Sequence, residues 1–200
     1  MATTTTTTLP LPGFLVPPPS DHPYPSVAVH QDASVDPCSI HVSLFVKVQN
    51  PAQIKNTIIK SPDTIPQCSM LDARKVLDPS LIQLAAQKAI LARVQGKMKT
   101  KSIYSELLFN FTPGTSITES LKFFGVSDKT NAIFVVFIGE PSAEGLAKIQ
   151  SLVQGELVPL SRHAELVDLQ AVEKIYKLGS SNAAERLSLV TSSMALKGYQ

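Results

Sequence analysis

The sequence predicts a single α/β (α+β) domain in which a mixed or antiparallel sheet is flanked by several helices and preceded by a disordered N-terminal leader. Two apolar runs have strand character. His41 to Val48 alternates around Val and Leu, and Ala132 to Ile138 contains no polar residue. Segments with helix start and stop signals lie between and after these runs. The chain of 200 residues is long enough for one domain with a sizeable core.

The leader, residues 1–36, differs in composition from the domain, residues 37–200. Eight of the 15 prolines precede Cys38, whereas no Lys or Arg does. The rest of the chain therefore carries all 18 basic residues against 13 acidic ones, a formal charge of +5. Because proline fixes φ and lacks an amide donor, neither a helix nor a central strand is expected in the leader. We expect an inert extension, with a ligand for a Pro-recognising module as the alternative.

The first half of the domain is expected to contain the alternating strand and two helices. Asn50-Pro51 is an N-cap followed by proline at the first helical position, which predicts a helix to about Lys60. Asp78 begins the same pattern before a second helix, Pro79 to Val94. This helix is apolar over most of its circumference, so we expect it to be the buried central helix.

The second half alternates predicted strands and helices. Ile103 to Phe111 has the composition of a strand. Ser116 and Glu119 form a capping-box pattern for a helix that Gly125 ends. The apolar run Ala132 to Ile138 predicts a strand covered on both faces. Three more helices are predicted, from Ser142 to Val153, from Asp168 to Gly179 and from Asn182 to Met194.

The motifs of common enzymes and metal sites are absent from the sequence: there is no HExxH, CxxC, GxGxxG or GxSxG. Cys38 and Cys68 are too few for a zinc site or a disulfide framework, which indicates thiols in a reducing compartment. The expected location is the cytoplasm and nucleus, with no catalytic residue, metal or other cofactor. His163 is interpreted as a surface histidine at a helix start. A small α/β enzyme with its site at Gly139 to Pro141, where the buried strand ends, is the less favoured alternative.

A basic segment is the first candidate binding site. No acidic residue occurs from Pro79 to Ser105, and the five basic residues there are Lys88, Arg93, Lys97, Lys99 and Lys101. If residues 97–101 are extended, three lysines two residues apart form one row that can follow a phosphate backbone. A solvated loop with cations at a helix C-terminus explains the same pattern equally well.

The final helix is the second candidate. Ala183, Leu187, Val190 and Met194 form one apolar stripe along it. Such a stripe normally closes the core of its own domain, and this is the favoured interpretation from the pattern alone. A helix at the end of a chain can instead present the stripe to a partner.

Several segments of the domain are similar to those of one known family, the PRPK-binding protein (TPRKB) family. The resemblance extends in order from Cys38 to Leu196 and is most specific at Lys97-Met-Lys-Thr100 and at Lys174-Ile-Tyr-Lys-Leu178. The segments that carry it are the strand near Val42, the helix after Asp78-Pro79, the run Gly96 to Pro113, Ile117 to Gly125, Ile133 to Ile138 and Val172 to Leu178.

The resemblance implies a small non-catalytic subunit of the KEOPS/EKC complex. The complex installs a threonylcarbamoyl group on N6 of the adenosine next to the anticodon, and another subunit performs the transfer. The family member binds and regulates the PRPK-type kinase, and relatives bind tRNA, notably its 3′ CCA end; no membrane is involved. The resemblance makes Arg93, Lys97, Lys99 and Lys101 the candidate tRNA-binding residues, and Leu187, Val190 and Met194 the candidate kinase-binding residues. A structural adaptor without RNA contact is the alternative.

Overall fold

A computed structural model describes residues 6–10, 39–179 and 182–197, which form an antiparallel sheet with helices on both faces. The strands are β1 (Thr6–Pro10), β2 (Ser39–Val46), β3 (Ser69–Asp72), β4 (Ala132–Ile138) and β5 (Glu156–Val158). The helices are α1 (Pro51–Lys60), α2 (Ser80–Val94), α3 (Ile103–Asn110), α4 (Ile117–Phe124), α5 (Ala143–Leu152), α6 (Leu169–Tyr176) and α7 (Ala183–Leu196). The predicted fold class is confirmed.

The sheet has the order β1-β2-β4-β3, and β5 pairs with the end of β2 beyond β1. All seven residues of β4 are buried, because helices cover both of its faces as its composition predicts. Phe134 and Val136 face a large core with α2, α3 and α7, whereas Val135 and Phe137 face a smaller core with α1 and α5. This alternation places the central helix α2 and the final helix α7 in the same layer.

The helix signals in the sequence agree with the structure at most positions. The side chains of Ser116, Ser142, Asp168 and Asn182 each accept a hydrogen bond from a backbone amide in the first turn of the following helix. Asn182 and Glu185 form a complete capping box. α6 ends before the predicted Gly179, because Lys177 adopts the left-handed conformation with φ 53°.

The predicted strand Ile103 to Phe111 is wrong, because the structure has helix α3 there. Ser102 caps this helix by accepting a hydrogen bond from Ser105 N at 3.1 Å. Ile103, Leu107 and Phe111 recur every four residues and are all buried in the larger core. The β-type composition of the segment therefore reflects burial against α2 and not an extended backbone.

The disordered leader is also a partly wrong expectation, because Thr6–Pro10 forms the edge strand β1. Its β-branched threonines suit a strand, and Pro10 lies at its end, where proline is tolerated. Thr6 Oγ1 lies 2.9 Å from Ser43 Oγ, and Thr8 Oγ1 lies 3.1 Å from His41 Nδ1. The other leader residues lie outside the described part of the chain. The short strands β3 and β5 have no sequence signal that predicts them.

Candidate functional site

The basic segment is a loop that joins α2 to α3. α2 ends in a Schellman motif, in which Lys97 N donates to Ala92 O at 2.8 Å and Gly96 N donates to Arg93 O at 3.0 Å. This motif requires a left-handed residue, and Gly96 supplies it with φ 65°. Gly96 therefore ends the helix, and the basic loop follows it.

Side chains in the loop alternate between solvent and protein. Lys97, Lys99 and Lys101 are exposed, whereas Met98 and Thr100 are partly buried. Met98 packs against the larger core and so holds the loop on the domain. The backbone bends from Lys99 onward, so the extended conformation on which a row of lysines depended does not hold for the whole segment. The three ammonium groups are nevertheless all free to meet a ligand from the solvent side.

Glu106 holds the loop from inside. This residue is 3 % exposed, and its Oε2 accepts hydrogen bonds from Lys99 N at 3.0 Å, Thr100 N at 2.8 Å and Thr100 Oγ1 at 2.8 Å. The Thr100 hydroxyl also lies 2.9 Å from Ser102 O. Glu106, the first acidic residue after the acid-free stretch, therefore binds the backbone of that stretch. Its place as the next charged residue after five basic ones is the one signal in the sequence that could have pointed to it.

Two further lysines connect α2 and α3 with the end of α7. Lys88 Nζ donates to Ala195 O at 2.8 Å and to Lys197 O at 3.1 Å, which satisfies carbonyl groups at the C-terminal end of the helix. Lys197 Nζ donates to Phe109 O and lies 3.3 Å from the centroid of the Phe109 ring. Burial lowers the pKa of Lys197 to about 8, although the nearby Glu106 carboxylate opposes this shift. Arg93, in the last turn of α2, is partly buried and also interacts with other groups.

The apolar stripe of α7 is buried in the protein's own core. Val190 and Met194 are fully buried, and Leu187 is partly buried against the same core. The expectation that these three residues form a partner-binding surface is therefore wrong, because α2 and its neighbours already cover them. The outer side of α7 instead exposes Leu189 by 50 % and Leu196 by 55 %. The regular stripe includes neither leucine, so it did not predict that both are exposed.

The residues considered for an enzyme are His163 and those at the end of β4. His163 is not the predicted surface histidine: it is 2 % exposed, its Nε2 lies 2.9 Å from Ala73 O, and its ring packs on Phe134. Burial lowers its pKa. Two open clefts of about 430 and 310 Å³ lie beside α1, and neither is lined by Gly139 or Pro141. Neither of these clefts therefore reaches the end of β4, where the Glu140 carboxylate lies 3.1 Å from His41 Nε2.

The described residues also offer no reactive thiol, metal site or membrane-spanning helix. Burial raises the pKa of the Cys68 thiol to about 12, so it is a poor nucleophile. Among the described residues, no three His, Cys, Asp or Glu side chains lie close enough together to hold a metal ion. In the same part of the chain, every helix is too short or too polar to span a bilayer.

Comparison with known proteins gives one consistent family. The family model described as kinase binding protein CGI-121 matches residues 45–198. The EKC/KEOPS complex subunit TPRKB of Danio rerio is 29 % identical over 157 residues, which cover 77 % of this chain and 88 % of the relative. The EKC/KEOPS complex subunit cgi121 of Schizosaccharomyces pombe is 32 % identical over 164 residues, covering 80 % and 94 %. A third such subunit, from Yarrowia lipolytica, is 30 % identical over 167 residues, with the same coverage of 80 % and 94 %.

The matched region contains the basic loop, Glu106 and all of α7, whereas β1 lies outside it. The predicted family is thereby confirmed, and the chain belongs to the CGI-121 family of kinase-binding proteins.

Proposed function

We propose that this protein is a non-catalytic subunit of an EKC/KEOPS complex that binds the PRPK-type kinase of that complex and helps recruit tRNA for N6-threonylcarbamoyladenosine modification. Membership of the family and the names of the relatives support the kinase and the complex. The observation that supports the RNA part is the loop between α2 and α3, which exposes three lysines within five residues.

The outer side of α7 is the proposed kinase-binding surface. Leu189 and Leu196 are seven residues apart, so they lie on the same side of the helix. Lys88 contacts the carbonyl of Ala195, and Leu91, one turn further along α2, is itself 40 % exposed. Leu189 and Leu196 on α7 and Leu91 on α2 thus give three exposed apolar side chains on this part of the protein. Apolar side chains of this kind form the desolvated centre of protein interfaces.

Co-expression with the kinase followed by gel filtration tests this surface. The wild-type protein should co-elute with the kinase at micromolar concentration. The double variant Leu189→Glu, Leu196→Glu should elute separately, because two charges would have to be buried without partners. Leu121→Glu on α4 is the matched control, since Leu121 is also 50 % exposed, and it should leave co-elution intact. Independent elution of the wild type would refute kinase binding.

The RNA-binding loop is tested by the salt dependence of tRNA binding. Each phosphate contact that is lost should reduce the slope of log K against log salt by about 0.7 to 0.9. We expect the variant Lys97→Glu, Lys99→Glu to bind an unmodified tRNA transcript more weakly and with a flatter slope. The control Lys60→Glu, Lys122→Glu changes the net charge equally on exposed parts of α1 and α4. Equal behaviour of the two double variants would favour an adaptor without RNA contact at this loop.

A further inference from the structure

We propose that Glu106 is a positioning residue for the RNA-binding loop: its buried carboxylate fixes the backbone at Lys99 and Thr100 so that the lysines are presented to phosphate groups. The inference rests on the proposed tRNA-binding function of the loop. It assigns a role to a residue that carries a charge of the same sign as the ligand.

The first argument is the direction of the hydrogen bonds. All three donors to Glu106 Oε2 belong to Lys99 and Thr100, at 2.8 to 3.0 Å. Both backbone N–H groups must therefore point toward the domain. Thr100 is partly buried beside the carboxylate, while the side chain of Lys99 is exposed. The bonds to Glu106 thus select the loop conformation in which Lys97, Lys99 and Lys101 are exposed.

The second argument is energetic. A carboxylate that is 3 % exposed strongly disfavours any state in which its hydrogen bonds are lost. The loop is thereby held in one conformation before the ligand arrives. Ordering a backbone segment on binding would cost conformational entropy, so a loop that is already ordered binds more tightly.

Electrostatics alone predicts the opposite effect of removing Glu106. The carboxylate is negative and lies behind three lysines, so it repels a phosphate backbone. A variant that merely loses this charge should bind RNA more tightly, because the local potential becomes more positive. A positioning role predicts weaker binding despite the gain of positive charge. The sign of the change therefore distinguishes the two roles.

The experiment measures binding of an unmodified tRNA transcript to the full-length protein by fluorescence anisotropy at several salt concentrations. Glu106→Gln keeps the shape but replaces charge-assisted hydrogen bonds by weaker neutral ones, and Glu106→Met removes the acceptors altogether. We expect affinity to fall in the order wild type, Gln, Met, with a loss of about tenfold or more for Met. The salt slope of the Met variant should also flatten, although all lysines remain. Affinity that is equal to or higher than that of the wild type in both variants would overturn the proposal.

A second pair of variants avoids the core. Thr100→Val removes the hydroxyl that lies within hydrogen-bond distance of Glu106 Oε2 and Ser102 O without changing the shape of the side chain, and Thr100→Ser keeps it. We expect weaker binding for Val and near wild-type binding for Ser; equal binding of the two would count against the positioning role. Thermal unfolding and co-elution with the kinase verify that the compared proteins are folded. If the variant Lys97→Glu, Lys99→Glu binds as tightly as the wild type, the RNA-binding function fails, which is a separate result from failure of the positioning role.

Discussion

The basic loop and the final helix were both candidate binding sites, but the structure exposes the candidate residues of the loop and buries most of those of the helix. The loop exposes Lys97, Lys99 and Lys101 and anchors the residues between them. The helix buries the stripe residues Val190 and Met194 and exposes leucines outside that stripe. An apolar stripe is satisfied as soon as its own domain covers it, whereas a lysine ammonium keeps its hydration only if it stays at the surface. Charge is therefore the better guide to a surface here than apolar periodicity.

The largest effect that tests this comparison is on stability. Met194→Ala should lower the free energy of unfolding by about 2 to 5 kcal/mol, because it leaves a cavity in the core. Leu196→Ala, two residues along the same helix, removes a side chain that is 55 % exposed and should change stability by about 0.5 kcal/mol or less. Urea denaturation of both variants measures the difference. Similar losses would contradict the assignment of the buried and exposed sides of α7.

A smaller effect is expected where α2 turns into the loop. Gly96→Ala should cost about 1 to 2 kcal/mol, because alanine disfavours the left-handed conformation that Gly96 adopts. Open space surrounds the position of the added methyl group, so the cost is one of backbone conformation and not of packing. Gly179→Ala is the control, since that glycine also has open space around it but no positive φ. Thermal unfolding of both variants checks this, and equal midpoints would contradict it.

Lys197 follows α7 and contacts Phe109 of α3, and its shifted pKa predicts a pH dependence of stability. Its pKa in the folded protein is about 8, below its ordinary value near 10.5. Between these pH values the unfolded state binds more protons, so the contribution of Lys197 to the free energy of unfolding rises with pH across this window. Partial exposure of the side chain to solvent reduces the size of the effect. In chemical denaturation from pH 7.5 to 10, the free energy of unfolding of the wild type minus that of Lys197→Met should therefore rise with pH. Identical pH profiles would rule out a shifted pKa at Lys197.

The smallest stability effects belong to the loop lysines. Lys97→Ala, Lys99→Ala and Lys101→Ala should each change the free energy of unfolding by about 0.5 kcal/mol or less, since the side chains are exposed. The same variants should weaken tRNA binding with little loss of stability, whereas Met194→Ala should lower stability. A single lysine variant that lost several kcal/mol of stability would show that the loop is structural and not a free surface.

Local patterns predicted much of the fold. The caps at Ser116, Asp168 and Asn182 and the helix end at Gly96 depend on residues within a few positions of one another, so the sequence contains the whole signal. β1 was missed because the leader was judged by its overall composition, whereas pairing with β2 depends on five residues only. The strand wrongly predicted at Ile103 to Phe111 shows that composition cannot distinguish a short buried helix from a buried strand.

The lysines of the candidate site were predicted from the sequence, whereas the buried glutamate that holds their loop was not. Lys97, Lys99 and Lys101 were identified from charge, because a lysine in an acid-free loop has little choice but to face water. Glu106 lies seven residues from Lys99, and only folding of α3 as a helix brings its carboxylate under the loop. The exposure of Leu189 and Leu196 was not predicted, because it depends on which side of α7 faces α2.

By itself, the sequence determined where most of the helices begin, which strand is buried on both faces and where the positive charge lies. These features follow from interactions between near neighbours and from the cost of removing charge from water. Only the tertiary structure decided that residues 103–110 are a helix, that Val190 and Met194 belong to the core and that Glu106 supports the basic loop. The burial of Val190 and Met194 depends on the packing of whole elements, and the contact of Glu106 with the loop depends on α3 being a helix, so composition and periodicity did not predict them.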